Sequence, residues 1–253
     1  MTPTVLILAG SRPGASDPVA EAEHVPHKVL ALVEGKTLIE RVIAAARAFG
    51  APEIAVSANH PAVETEARRL GATLLPTASG PSESVAAAFA RYGAPLLVTT
   101  ADHALIDPAW LRALVDGTPA QADVSLMLAQ RRLVEAAAPG TSRTWLKLAD
   151  GHWSGCNLFL MATPAAGRAA TAWREVEAER KRPWRLAQRL GFGTVLDYAL
   201  GRLSMETAIS RLGRRIGVDA ALVPAPDGRA AIDVDKPEDL ALVRRLAPSA
   251  ATP

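Results

Sequence analysis

Short apolar runs alternate with amphipathic stretches through the first half of the chain. The run from Thr4 to Leu8 is β-prone and stops at Ala9-Gly10, which is typical of a strand buried on both faces of a parallel sheet. The run from Pro95 to Thr99 has the same character. Between them the pattern predicts a helix beginning after Thr37, a strand at 53–57, a helix at 61–70, a strand at 73–75 and a helix at about 82–92. This alternation predicts a Rossmann-like, doubly wound, mostly parallel α/β sheet.

The regular pattern weakens after Asp123. Strand-like pieces are predicted at 124–129, 145–148 and 157–161, and a basic, helical stretch follows from Pro164 to about Leu212. We interpret that stretch as a helical insertion at about 163–215. Strands are predicted again at 216–223 and 230–234, and Pro237 begins a terminal helix to Leu246. We therefore predict one domain over 1–247, followed by a flexible tail at 248–253.

Composition narrows the class of partner. The 28 basic and 26 acidic residues nearly cancel, so no overall field would attract a nucleic acid, and any anion site must be local. The single cysteine, Cys156, excludes an internal disulfide framework. The N-terminus has no basic region before its short apolar run, and no apolar stretch is long enough to span a bilayer. We expect a cytoplasmic protein, and a homodimer is one assembly compatible with this expectation.

The segment after the first strand is the first candidate for chemistry. Residues 10–28 show no helical or alternating period, and so long a loop in a compact domain is usually functional. Glycines let backbone amides approach a phosphate closely, while Arg12 and Lys28 would supply cations to a triphosphate. The alternative is a glycine-rich surface loop with solvated charges. The two stretches read Leu8-Ala9-Gly10-Ser11-Arg12-Pro13-Gly14 and Pro26-His27-Lys28-Val29-Leu30.

Two acids at strand ends are candidate ligands for Mg²⁺, which accepts one or two carboxylates plus water and substrate oxygens. Asp102 follows the apolar strand ending at Thr99, and Asp235 stands where a predicted strand runs into the last helix. Each has a structural alternative, because Asp102 would also cap a loop and Asp235 would also serve as the helix N-cap. Asp233 is a weaker metal candidate. His103 is either a substrate contact or an ordinary loop histidine.

Taken together, these three segments resemble the MobA-like family of NTP transferases, and the resemblance covers nearly the whole chain. It implies a Rossmann-like fold, a triphosphate bound by the Gly10 loop with Arg12 and Lys28, and Mg²⁺ held by Asp102 and Asp235. Compared with the family motif, the loop is shortened before Arg12 and has a longer spacer before Lys28. The further positions that the resemblance assigns to nucleotide or acceptor binding are Ala9, Gly10, Ser11, Gly14, Gly80, Ser84 and Asn157.

The activity implied by the resemblance is in-line attack of an acceptor phosphate on the α-phosphorus of an NTP, with release of pyrophosphate. CTP is favoured over GTP, because the segment around Ser84 is similar to the base-contacting stretch of the cytidylyltransferase branch. The acceptor would be a phosphorylated small molecule or lipid headgroup. Arg180-Lys181-Arg182-Pro183-Trp184-Arg185 is either a site for that phosphate or headgroup, or a solvated basic face. Two rivals remain: a nucleotide-sugar glycosyltransferase, and a silent nucleotide-binding module.

Overall fold

A computed structural model describes residues 1–11, 14, 16–179 and 191–247 of the chain. Its strands are β1 (Thr4–Ala9), β2 (Leu32–Val33), β3 (Lys36–Thr37), β4 (Ile54–Ala58), β5 (Thr73–Pro76), β6 (Leu96–Thr100), β7 (Val124–Gln130), β8 (Leu146–Leu148), β9 (Gly151–Met161) and β10 (Ala220–Pro224). Its helices are α1 (Pro18–Ala22), α2 (Leu38–Phe49), α3 (Pro61–Arg69), α4 (Pro81–Tyr92), α5 (Pro108–Asp116), α6 (Arg131–Ala137), α7 (Gly167–Glu179), α8 (Phe192–Ala199), α9 (Met205–Arg215) and α10 (Pro237–Leu246).

The central sheet is mixed and mostly parallel, which confirms the predicted fold class. Its strand order is β10-β7-β9-β6-β1-β4-β5, and β8 pairs with β9. β1 is parallel to both β4 and β6. β9 is antiparallel to both β6 and β7. The carboxyl ends of β4, β1 and β6 therefore lie side by side at one edge of the sheet, where open α/β sheets bind ligands.

Alternating side chains of β1 bury both faces of the sheet. Val5 and Ile7 belong to one apolar cluster and Leu6 to the other, because successive strand residues point to opposite faces. Helix α2 covers the first face, and it begins where predicted, with Thr37 Oγ1 accepting from the Glu40 amide at 3.2 Å. Burial on both faces fixes the strand register, and the register fixes the loops at the strand ends.

The helices after β9 pack on the sheet. Ala166 and Ala170 share an apolar cluster with Val85 of α4, so α7 covers the second face. Met205 and Ile209 of α9 pack with Trp153 and Leu128. The basic cluster at 180–185 and the tail at 248–253 lie outside the described residues.

Several predicted boundaries were wrong. The loop at 10–28 contains α1, which Asp17 caps, and a 3-10 turn at Lys28–Leu30. No strand forms at 230–234, because Gly228–Ala231 closes a 3-10 turn and the Val234 amide donates to the Asp102 carbonyl rather than to a strand. Residues 216 and 217 form the turn that follows α9, so β10 begins only at Ala220. β9 begins at Gly151, six residues before Asn157, because it forms a hairpin with β8.

Candidate active site

Backbone pairing at the end of β6 brings the two predicted metal acids together. Asp102 lies two residues beyond β6, directly beside the end of β1, since the Ala101 amide donates to the Leu8 carbonyl at 2.9 Å. The Asp102 carbonyl in turn accepts from the Val234 amide at 3.1 Å. This bond holds the segment that carries Asp235 against the loop after β6.

Lys28 joins the two acids. Its Nζ lies 2.8 Å from Asp102 Oδ2 and 2.9 Å from Asp235 Oδ1. It also donates to the Val234 carbonyl at 2.9 Å. Three residues that are distant in the sequence therefore form one cluster at the carboxyl edge of the sheet. We call Asp102 and Asp235 the acid pair.

The charges of the acid pair hold Lys28 protonated. Burial by itself would lower the pKa of the Lys28 ammonium, but the nearby Asp102 charge, its hydrogen bond, and then Asp235 outweigh burial and raise that pKa. Among the described residues, Asp102 Oδ1 is buried and has no hydrogen-bond partner. Asp102 Oδ1 can therefore accept a further bond. The Lys28 ammonium lies between the two carboxylates of the acid pair.

Asp235 does not cap the last helix, so that alternative was wrong. Lys236 occupies the N-cap position of α10. The carboxylate that satisfies the exposed amides is Asp239, whose Oδ2 accepts from the Asp235 amide at 3.2 Å and from the Lys236 amide at 3.0 Å. The Asp235 side chain is thereby left to face Lys28.

A network of buried and half-buried side chains holds the segment that carries Asp235. Arg143 donates to both the Asp233 side chain and, at 3.1 Å, the Asp233 carbonyl, and it reaches Asp239 Oδ1 at 3.3 Å. Asn157, at φ +50°, donates to Asp233 Oδ2 at 2.8 Å. Burial, followed by the Asp102 charge, raises the pKa of Asp233 despite Arg143. Both oxygens of Asp233 already accept hydrogen bonds, so it is a poorer metal candidate than the acid pair.

The loop after β1 is held by a residue that sequence reasoning did not single out. Asn59 Oδ1 accepts from the Ser11 amide at 3.0 Å, and its Nδ2 donates to the Ser11 carbonyl at 2.8 Å. A Cβ on Gly10 would stand 2.9 Å from Thr77 Cγ2, so only glycine fits there without a shift. Arg12 lies outside the described residues, and Gly14, at φ +71°, is described only by its backbone turn.

The remaining predicted positions lie around this edge. Ala9 ends β1, and Gly80 is the N-cap residue of α4. Ser84 is buried, and its Oγ accepts from the Ala78 amide at 3.0 Å, so it holds the loop before α4. His103 is wholly buried against Trp110, and burial lowers its pKa to about 4. In this structure His103 therefore packs as a buried loop histidine and exposes no surface to a substrate.

A comparison with known protein families identifies the family to which the chain belongs. The family model of the MobA-like NTP transferase domain matches residues 5–190. The chain belongs to this family. A hypothetical transferase from Thermus thermophilus is 30% identical, with a TM-score of 0.80, over 95% of this chain and 100% of that one.

More distant solved structures share the fold of this MobA-like transferase. A CMP:2-keto-3-deoxy-manno-octonic acid synthetase complexed with CTP is 19% identical, with a TM-score of 0.58 over 97% and 98% of the two chains. A 2-C-methyl-D-erythritol 4-phosphate cytidylyltransferase, also from Thermus thermophilus, is 16% identical, with a TM-score of 0.52 over 97% and 98%. No curated protein sequence matches the chain significantly. These neighbours show the same fold, and membership of the family supports a general NTP transferase.

Neither a separate metal-ligand cluster nor a membrane-spanning helix is present in the described ranges. No group of three or more histidine, cysteine or acidic residues is arranged there to hold a metal ion. Over the same ranges, no helix combines the length and apolarity needed to cross a membrane. A metal at the acid pair would consequently need oxygens from water and substrate as well.

Proposed function

We propose that this MobA-like transferase is a metal-dependent nucleotidyltransferase. It joins NMP from an NTP, with CTP favoured, to a phosphorylated acceptor and releases pyrophosphate. The observation that carries the proposal is the convergence of Asp102 and Asp235 on one cation, with Lys28 Nζ within 2.8 and 2.9 Å of their carboxylates.

The acid pair fits Mg²⁺. Two carboxylates close enough to share one ammonium are the usual protein contribution to a magnesium site, with water and phosphate oxygens completing it. The buried Asp102 Oδ1, which has no partner among the described residues, supplies a further oxygen. Bound Mg²⁺ would neutralise charge on the α-phosphate and on the attacking oxygen.

The residues of the chain would then act mainly by position and charge. Asn59 holds the Gly10 loop at the end of β1 through Ser11, and this loop would receive the triphosphate there. Lys28 keeps its proton beside the acid pair. If the acid pair held Mg²⁺, the Lys28 ammonium would donate to phosphate oxygens instead of to these carboxylates. Arg12 would add a second cation for the leaving pyrophosphate. An ionised acceptor phosphate needs no general base, so alignment and charge neutralisation supply most of the acceleration.

The proposed preference for CTP rests on the segment that holds Ser84 and on two fold neighbours. The segment holding Ser84 resembles the base-contacting stretch of cytidylyltransferases, and two fold neighbours bear names that refer to CTP or to cytidylyl transfer. Ser84 Oγ accepts from the Ala78 amide, which supports a role in shaping the base pocket rather than in contacting the base directly.

Pyrophosphate release from the four NTPs, screened against a panel of phosphomonoesters with Mg²⁺, tests the proposal. We expect release with CTP and one class of acceptor, and loss of the signal both with EDTA and in Asp102→Ala. A signal that persists in Asp102→Ala would overturn the assignment. Turnover of a nucleotide sugar without pyrophosphate release would favour the glycosyltransferase instead.

A further inference from the structure

Helix α8 carries apolar side chains on its outer side. Its exposed large apolar residues, at 36–56% exposure, are Val195, Leu196, Tyr198 and, at the C-cap, Leu200. A helix on a protein surface normally packs its apolar stripe on the core instead. No described side chain of α8 belongs to any of the three apolar clusters. We call these four exposed residues the α8 face.

The inner side of α8 is polar and contacts α9. Thr194 is buried, and Asp197, three residues further on, accepts from Arg211 Nη1 of α9 at 2.6 Å. Residues three apart lie on the same side of a helix, so Thr194 and Asp197 both point inward. This contact orients α8 with its apolar side chains towards the outside of the molecule.

The surroundings of the α8 face are positively charged. Arg202 follows the face two residues after Leu200, and Arg214 lies on α9; both are exposed. Over 191–215, four arginines stand against two acidic residues, one of which already bonds α9. By sequence alone, residues 180–190 add five basic residues and no acidic one, although their positions lie outside the described residues. The basic excess is local, because the whole chain is nearly neutral.

A second copy of the chain is a poor match for the α8 face. Stable interfaces bury about 800 Å² on each partner, contributed by about 20–30 residues. The α8 face offers four large apolar side chains on a helix of eight residues. In a two-fold dimer the same arginines would also face each other across the contact. An anionic membrane instead supplies an apolar layer for the side chains and negative charge for the arginines.

We propose that the α8 face docks the protein on an anionic membrane surface. Its three aliphatic side chains enter the boundary between headgroups and acyl chains, and Tyr198 places its ring there with the hydroxyl towards water. Arg202 and Arg214 lie at the level of the lipid phosphates. This is attachment to one leaflet, and it does not depend on the chemistry proposed for the acid pair.

Co-sedimentation of the intact protein with lipid vesicles tests this proposal and needs no nucleotide. Vesicles of equal parts phosphatidylcholine and phosphatidylglycerol are compared with vesicles of phosphatidylcholine alone. We expect the protein to bind the anionic vesicles at least about 10-fold more tightly, because the arginines are attracted to the anionic headgroups. Added salt should weaken this binding by screening the charges. Absence of binding to the anionic vesicles, or equal binding to both kinds, would overturn the proposal.

A matched pair of leucine variants locates the contact. Leu196→Ser removes an apolar side chain of the α8 face and should weaken binding to the anionic vesicles about 3- to 10-fold. Leu32→Ser changes a leucine of similar exposure on β2, beside α10, and should leave this binding unchanged. Both side chains are exposed, so thermal unfolding should stay close to that of the parent. Unchanged binding by Leu196→Ser, or an equal loss in both variants, contradicts the proposal.

A charge variant and the oligomeric state separate a membrane from a protein partner. Arg214→Gln should bind the anionic vesicles about 5-fold more weakly than the parent, with no change on phosphatidylcholine alone. An equal change on both kinds of vesicle would contradict the role of charge. A dimer in solution that Leu196→Ser dissociates, measured by analytical ultracentrifugation, would show that a second copy covers the α8 face and would overturn the proposal.

Discussion

Two parts of the fold hold the acid pair in different ways. Asp102 follows the central strand β6, its side chain is 16% exposed, and its carbonyl bonds the Val234 amide. Asp235 lies in an irregular segment, its side chain is 63% exposed, and the segment is held by Asp239 and Arg143. One acid is thus positioned by the sheet itself, and the other by a network of side chains.

This contrast separates the roles of the surrounding residues. Changes near Asp102 should act on chemistry through a rigid strand end, with little structural adjustment. Changes near Asp235 should act through the position of a loop, and partial replacement should be tolerated. Substitutions on each side of the site test that distinction.

The largest effect is expected from the acids themselves. Asp102→Asn should lower kcat by about 10²–10³-fold, the loss typical of removing one preorganised charge-stabilising group. Asp235→Asn should cost less, because its exposed position lets water take over part of its role. Single-turnover rates with CTP, compared at matched thermal stability, measure both. A larger loss in Asp235→Asn would reverse the comparison.

Lys28→Met should have the next largest effect on turnover. It should also separate the contribution of the lysine charge to turnover from the binding of Mg²⁺ by the acid pair. We expect turnover to fall by about 10²-fold, since the phosphates lose a cation. Without nucleotide, however, Mg²⁺ should bind this variant more tightly than the parent, because no ammonium competes for the acid pair. Calorimetric titration with Mg²⁺ measures this, with Lys36→Met, an exposed lysine of β3, as the charge-matched control. Weaker Mg²⁺ binding would argue against a shared site.

The part of the site at the strand ends, Asp102 and the Gly10 loop, could be predicted from the sequence. Apolar runs at β1 and β6 predict buried parallel strands, and the rule that ligands gather at their carboxyl ends places Asp102 beside the Gly10 loop. The same rule would have indicated Asn59, which directly follows β4, had all strand ends been considered. The local sequence pattern was sufficient to predict these strand ends because burial of a strand on both faces leaves few alternative pairing registers.

The conformation of the segment that carries Asp235 could not be predicted in this way. Sequence predicted a strand through 230–234, but the segment is irregular, because single long-range bonds from Val234 and Asp233 replace a strand ladder. Arg143 lies in a stretch without periodicity, and no local signal ties it to Asp233, 90 residues away. The N-cap hypothesis for Asp235 failed because the helix begins one residue later, with Lys236 as its N-cap, and Asp239 in the first turn accepts from the Asp235 and Lys236 amides.

Arg143→Gln tests whether the network truly positions Asp235. Removing a residue that orients a metal ligand commonly costs about 10- to 100-fold in metal affinity or activity. We expect the Mg²⁺ concentration at half-maximal rate to rise by that factor, with a smaller change in kcat at saturating Mg²⁺. Arg112→Gln, which removes a bond to the Ala48 carbonyl between α2 and α5, is the control. An unchanged Mg²⁺ requirement would show that Asp235 keeps its place without Arg143.

The smallest effect is expected on the nucleotide side, where the sheet already fixes most of the loop. Asn59→Ala removes both hydrogen bonds to Ser11, each worth about 0.5–1.5 kcal/mol, but the close packing of Gly10 on Thr77 remains. The KM for CTP should therefore rise by about 5-fold, with kcat and the Mg²⁺ requirement nearly unchanged. Steady-state kinetics at saturating acceptor measure this, and acceptor affinity serves as the internal control. A fall in kcat at constant KM would mean that Asn59 acts on the transition state, so the loop after β1 would be as dependent on its side chains as the Asp235 segment is.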